Sequence, residues 1–179
     1  QALNHDPEID VYISKMLDRL NEYSSVCHSG NHILDVIVDR YAAECALRNI
    51  EFCFDIKENN LRNLDYFDIV TVLNNLLDNA VEASKKASSR HVSIATSYRN
   101  NFSIIVITNS CAAPPEFSSS GELKTTKENS KLHGFGLKSV KNALKKYDGD
   151  ISLEYSQEKG EFIATVMLAV SYTHLTLPT

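Results

Sequence analysis

With 179 residues, 43% of them apolar, the chain can bury one sizeable core but falls short of two ordinary domains. A net charge of −5 and a pI near 5.7 argue against a general nucleic-acid binder, whose footprint would be basic. No apolar run approaches the roughly 18 residues that span a bilayer and no signal-peptide pattern opens the chain, so the stretch reads as soluble.

The first predicted element is a helix. Asp6-Pro7-Glu8 supplies an N-cap, a proline at the first helical position and an acidic first turn, after which Ile9, Ile13, Met16, Leu20 and Tyr23 form an apolar stripe two heptads long. A second helix over about 31–48 carries Leu34, Ile37, Tyr41 and Cys45 on one face and leads into an alternating strand at 51–56. A third, over about 65–87, precedes two β-rich runs at 91–98 and 102–108 joined by Arg99-Asn100-Asn101 as a hairpin turn. Residues 110–132 hold Pro114-Pro115, three serines at 118–120, and Lys124, Lys127 and Lys131; a loop so long is functional or disordered. A short helix follows, with Leu137, Val140, Leu144 and Tyr147 on one face, then a closing hairpin of strands at 151–155 and 162–169. Helices and strands mix without strict βαβ alternation, which predicts an α+β fold, a two-layer sandwich with helices on one face of a mixed sheet.

Cysteine and histidine spacing points away from a metal or disulfide framework. Cys27, Cys45, Cys53 and Cys111 match no zinc or disulfide pattern and read as reduced packing residues. His28 and His32 lie one helical turn apart, but the intervening Gly30 and the missing glutamate of a zinc-protease motif favour surface or cap roles.

Chemistry concentrates on the third helix. In Leu73-Asn74-Asn75-Leu76-Leu77-Asp78-Asn79-Ala80-Val81-Glu82-Ala83, helical spacing puts Asn75, Asn79 and Glu82 on one face with Asp78 at its margin, opposite an apolar stripe of Ile69, Leu73, Leu76, Ala80 and Ala83. An asparagine carbonyl is a neutral, hard donor suited to Mg²⁺, which takes one or two protein oxygens when phosphates supply the rest. Such a face also suits plain solvation. The second motif is His133-Gly134-Phe135-Gly136-Leu137: two close glycines let backbone N–H groups approach a phosphate, and the helix they open adds a partial positive charge.

Together these motifs resemble the N-box and second glycine box of the Bergerat-fold ATP-binding superfamily, which includes gyrase, MutL and histidine kinases, with 110–132 in the place of the ATP lid. Asn-Leu-Leu-Asp-Asn-Ala-Val-Glu-Ala and His-Gly-Phe-Gly-Leu are most similar to sensor kinases of the peptide-pheromone-sensing (agr-like) class. The resemblance implies ATP and Mg²⁺ as cofactors, with Asn79 as metal ligand. It also implies ATP-binding roles for Asn75, Glu82, Asn109, Lys127, His133, Gly134, Phe135, Gly136 and Leu137. It divides the chain into a remnant of a dimerisation hairpin (1–28), an ATP-binding catalytic domain (29–170) and a non-native or disordered tail (171–179).

The chain also departs from that family. Where most members carry Asp-x-Gly-x-Gly with the acid on the adenine amino group, this chain has Thr108-Asn109-Ser110-Cys111-Ala112-Ala113; Asn109 can still pair with a base edge, and an aspartate there is expected to be tolerated. No phenylalanine box is evident. The position of the general-base glutamate in the hydrolytic branch is Asn75, an amide that cannot take a proton from water near neutral pH. His5-Asp6 is similar to the acceptor dipeptide of histidine kinases, but Pro7 breaks the helix that histidine would need.

The expected function is therefore the catalytic domain of a two-component sensor histidine kinase, presenting Mg·ATP to a histidine outside the fragment. The implied partners are its own dimerisation and phosphoacceptor helix, a response regulator and a second copy; the implied location is the cytoplasmic side of a membrane-bound sensor. A non-catalytic Bergerat-fold interaction module and an anti-sigma-type serine kinase are the alternatives.

Overall fold

The computed structural model describes residues 26–57, 61, 64–116 and 135–169. The expected N-terminal helix, most of the lid and the tail lie outside the described residues, as do His5, Lys124, Lys127, Lys131, His133 and Gly134. The elements in chain order are α1 (His32–Leu47), β1 (Glu51–Asp55), α2 (Tyr66–Ser84), β2 (His91–Arg99), β3 (Phe102–Ser110), α3 (Phe135–Lys145), β4 (Asp150–Ser156) and β5 (Glu161–Ala169).

Five strands form one mixed sheet in the order β1-β2-β3-β5-β4. Strand β1 runs parallel to β2 and every other pairing is antiparallel. The α+β two-layer sandwich expected from the sequence is the fold observed. One sheet face carries Val92, Ile94, Ile105, Ile107, Ala164 and Val166, and these join a single core with Leu34, Val38 and Tyr41 of α1, Leu73 and Leu77 of α2, and Val140 and Leu144 of α3.

Local chemistry fixes the boundaries. Asn31 caps α1 by accepting from Ile33 and Leu34 N–H, and Asp65 caps α2 by accepting from Phe67 N–H. Helix α1 stops at Asn49, whose positive φ of 52° turns the chain back so that Ile50 N–H meets Cys45 O at 2.9 Å. The β2–β3 turn uses Asn100 and Asn101 at φ 50° and 65°, a left-handed pair that matches strand twist in a tight hairpin. In the turn after α3, a Cβ on Gly149 would sit 2.8 Å from Met167 O, so the glycine permits the close approach of that turn to β5. The apolar stripe of α2 is broader than the spacing predicts: Val72, Leu77 and Val81 are buried, and so are Asp68 and Ser84, whereas Ala83 is only half-buried.

Candidate functional site

Two contacts orient α3 against α2. Near the start of α2, the buried Asp68 carboxylate accepts from Tyr147 Oη at 2.6 Å and from Lys146 Nζ at 2.8 Å, just past the end of α3. Two turns further along α2, Asn75 Oδ1 lies where a Cβ on Gly136 would be only 2.8 Å away. Low numbers on α2 thus meet high numbers on α3, and the helices run antiparallel. Asn79 lies about 6 Å beyond Asn75 along α2, and Glu82 a turn further, so both lie past the start of α3. An α-helix leaves its first N–H groups without intrahelical partners and carries partial positive charge there, and in α3 that end lies toward the stretch of α2 that bears them.

The far end of α2 is tied to the end of β3. Ser84 Oγ donates to His91 O at 2.7 Å, Ser110 Oγ donates to Ser84 Oγ at 3.1 Å, and His91 N–H donates to Ser110 Oγ at 3.1 Å. Both serines are buried, at 0% and 4% exposure, so their hydroxyls need these partners. The clamp holds Asn109, one residue before Ser110, beside the last turn of α2. From Asn75 to Ser84 the axis rises roughly 14 Å. Nine residues also carry Ser84 about half-way around the axis from Asn75, so the buried amide is tied to the core-facing side of α2 and the start of α3 lies against the other side.

Asn109 is 3% exposed, and its side-chain orientation is fixed by what surrounds it. Nδ2 donates to Ser110 O at 2.9 Å and to Cys111 Sγ at 3.4 Å. A carbonyl oxygen can only accept, so the amide nitrogen must face Ser110 and Oδ1 must point away from it. No described residue donates to Oδ1, which leaves a buried acceptor for an amino group. The expectation that aspartate is interchangeable here is corrected by this geometry: a carboxylate would set an oxygen against the Ser110 carbonyl. Burial beside this pair pushes the Cys111 thiol up, and the Asn109 hydrogen bond only partly offsets it.

The remaining expected residues divide. Asn79 is exposed and its amide makes no hydrogen bond with any described residue, so its carbonyl is available to a cation. Glu82 is half-buried on the same side of the helix. Asn75 Nδ2 donates to Thr71 O at 2.7 Å, which directs its side chain to its own helix and to Gly136. Leu137 packs against the core, leaving its backbone N–H as the group it offers at the start of α3, where Phe135 begins the helix. Asp78, expected at the margin of this face, is instead bound to α1: it accepts from Tyr41 Oη at 2.6 Å, with Arg40 4.0 Å away. Burial first and the Asp78 hydrogen bond second hold the Tyr41 hydroxyl well above its ordinary range. Among the described residues no three His, Cys, Asp or Glu side chains cluster as a metal site. The donor that fits Mg²⁺ is the lone Asn79 carbonyl, sufficient only where phosphates complete the shell.

Spacing did not reveal Asp68, Lys146 and Tyr147, nor the serine clamp. Helical spacing puts Tyr147 on an apolar face, yet a half-buried tyrosine near a helix end signals a hydroxyl needing a partner. Burial raises the Asp68 pKa, but the hydrogen bonds from Lys146 and Tyr147 outweigh it and hold the carboxyl below its usual range.

A two-layer sandwich with a polar helix face set against a glycine-opened helix defines a Bergerat-type fold. A family model for the GHKL domain matches residues 64–169, and the chain belongs to that family. Among solved structures, the nucleotide-free catalytic domain of the histidine kinase ThkA is 21% identical, with a TM-score of 0.59 over 79% of this chain and 93% of that one. The Acinetobacter baumannii histidine kinase AdeS is 15% identical with a TM-score of 0.56, covering 92% of this chain and 80% of its own. The mycobacterial sensor histidine kinase MprB is 18% identical with a TM-score of 0.53, over 76% and 93% respectively. At these identities the likeness is one of fold. No curated protein matches the chain.

Proposed function

We propose that this chain is the ATP-binding catalytic domain of a two-component sensor histidine kinase of the agr-like class. The observation that carries the reading is the antiparallel seating of α3 on α2, fixed at Asp68–Tyr147 and Asn75–Gly136, which aims a helix N-terminus along the Asn79–Glu82 stretch. Triphosphate would lie at that terminus with Mg²⁺ on the Asn79 carbonyl, and adenine would offer its amino group to Asn109 Oδ1. The metal, when bound, neutralises phosphate charge. The chain's own part is to position the nucleotide and to withhold a general base, since phosphoryl transfer needs mainly placement and charge neutralisation. The acceptor histidine, the dimerisation hairpin and the response regulator are then partners in the intact protein, which would sit on the cytoplasmic side of a membrane sensor.

Titration with a fluorescent ATP analogue, with and without Mg²⁺, tests this. Micromolar, Mg²⁺-dependent binding is expected, with Asn79→Ala removing the Mg²⁺ dependence at an unchanged melting curve. The core control Leu76→Ala should lower stability by about 2–5 kcal/mol. Binding by Asn79→Ala equal to the parent would refute the metal assignment. The second reading, a Bergerat-fold interaction module without nucleotide, is motivated by Ser110-Cys111-Ala112-Ala113 where the family places glycines. Absence of binding up to millimolar analogue would decide for it.

A further inference from the structure

The sheet face turned away from the helices departs from the pattern of a two-layer fold. A sheet buried on one side reads as strict alternation, and β2 obeys, with Val92, Ile94 and Thr96 buried and Ser93 and Ser97 on the other side. Strands β3 and β5 depart from it. Strand β3 reads Ile104-Ile105-Val106-Ile107 without a polar break. Register places Ile104 opposite Met167 and Thr108 opposite Ile163, so Ile104, Val106, Ile163 and Met167 share the outer face, with Phe102 at its end. Phe102 is 40% and Met167 42% exposed.

Acidic residues border this stripe on the same face. Register aligns Glu51 of β1 with His91, and Asp150 and Glu154 of β4 with Met167 and Ile163. None of these three carboxylates has a cationic partner among the described residues. Asp55 is paired with Lys57 at 2.7 Å and Glu161 with His91 at 3.0 Å. Arg99, which lies opposite Phe102 rather than a carboxylate, is a basic residue at one end of the face, while His91 and Lys57 are taken up by Glu161 and Asp55. Adjacent strands lie about 4.8 Å apart, so the two edge strands stand roughly 19 Å apart across the sheet. That span accommodates a single helix of roughly 10–12 Å diameter lying over β3 and β5.

We propose that this outer face is a docking surface for a basic amphipathic helix of another protein, its apolar side on β3 and β5 and its cations toward β4 and β1. Charge selects this occupant. A second copy stacked on the same face would oppose acid with acid, and an anionic bilayer would be repelled by the same border. The surface is separate from the nucleotide site, so the inference does not depend on ATP binding.

The test uses the intact chain and two synthetic 18-residue helical peptides with the same leucine face, one with lysine and one with glutamate on the polar side. Isotope-labelled protein is titrated with each and the shifted amides are mapped. The lysine peptide should bind, perturb β3 and β5 residues of the outer face, and weaken with salt; the glutamate peptide should bind at least tenfold more weakly. Met167→Lys and Glu154→Lys should each lower affinity for the lysine peptide severalfold, with far-UV circular dichroism and nucleotide-analogue binding unchanged. Equal binding of both peptides, shifts confined to the helical layer, self-association in ultracentrifugation through this face, or binding to anionic vesicles would each overturn the proposal.

Discussion

Gly136→Ala probes the joint on which the site depends. The added methyl would lie 2.8 Å from Asn75 Oδ1, well inside the roughly 3.5–4.0 Å at which carbon-sized atoms rest. The obstacle is the end of a side chain, which could swing aside, but Asn75 is held by its 2.7 Å bond to Thr71 O. Moving it gives up a hydrogen bond worth about 0.5–1.5 kcal/mol; the residual crowding at this half-buried position adds an increment at the low end of the ~1–3 kcal/mol typical of overpacking. Alanine recovers part of the ~1 kcal/mol that glycine costs a helix, less at the second residue than in the interior. The single change should therefore cost about 0.5–1.5 kcal/mol. In an Asn75→Ala background the clash is gone, and Gly136→Ala should stabilise by a few tenths to about 1 kcal/mol. Urea denaturation of the four proteins measures the coupling, expected at about 1–2 kcal/mol with opposite signs for the two Gly136→Ala steps. Additivity within about 0.5 kcal/mol would refute the contact.

Three further expectations follow from hydrogen-bond direction and charge. Asn109→Asp should weaken adenine-nucleotide binding at least tenfold at pH 7, because an ionised oxygen cannot donate to Ser110 O, whereas a protein that bound ATP and GTP equally before mutation would refute Asn109 as the base contact. Asp68 has a folded-state pKa below its unfolded value of about 3.9, so its contribution is complete above that value and is lost as pH falls through the folded one. Urea midpoints between pH 7 and pH 2 should therefore fall more steeply for the parent than for Asp68→Asn, and parallel curves would refute it. Tyr147→Phe removes the 2.6 Å bond to that carboxylate and should cost about 1.5–3 kcal/mol at pH 7 by the same assay.

How much was legible in the sequence depended on the range of the interaction. Strands β2 to β5 and the hairpin turns rest on period and turn chemistry, which act within a few residues, and the strands were foreseen to within two residues at their ends, while α2 stops three residues before its expected end. Contacts between elements were not foreseen. Asn75 and Asn79 look equivalent on a helical wheel, yet one abuts Gly136 and bonds its own helix while the other stands exposed, because α3 ends its overlap with α2 between them. Asp78 falls only about 60° around the helix from Asn75 by its spacing, and Tyr41 on a different helix decides that it faces α1. The Ser110 clamp was invisible for the same reason: a serine at a strand end reads as a turn residue until Ser84 is brought to it.

The position of Asn75 bears on which reaction the proposed site can run. The hydrolytic relatives named by the sequence resemblance carry a glutamate at this place, one turn before the metal-binding asparagine. Here the side chain has an amide whose nitrogen is bonded to Thr71 O and whose oxygen lies against Gly136. It neither accepts a proton near neutral pH nor projects freely toward a bound phosphate. Glutamate would not simply restore the base, since its longer side chain would meet Gly136 and lose the donor that Thr71 O receives. Under the proposed function, the joint between α2 and α3 would thus occupy the place where a hydrolytic relative activates water. Under that function, a nucleotide held at the start of α3 would keep its γ-phosphoryl until a nucleophile arrived from outside the described residues.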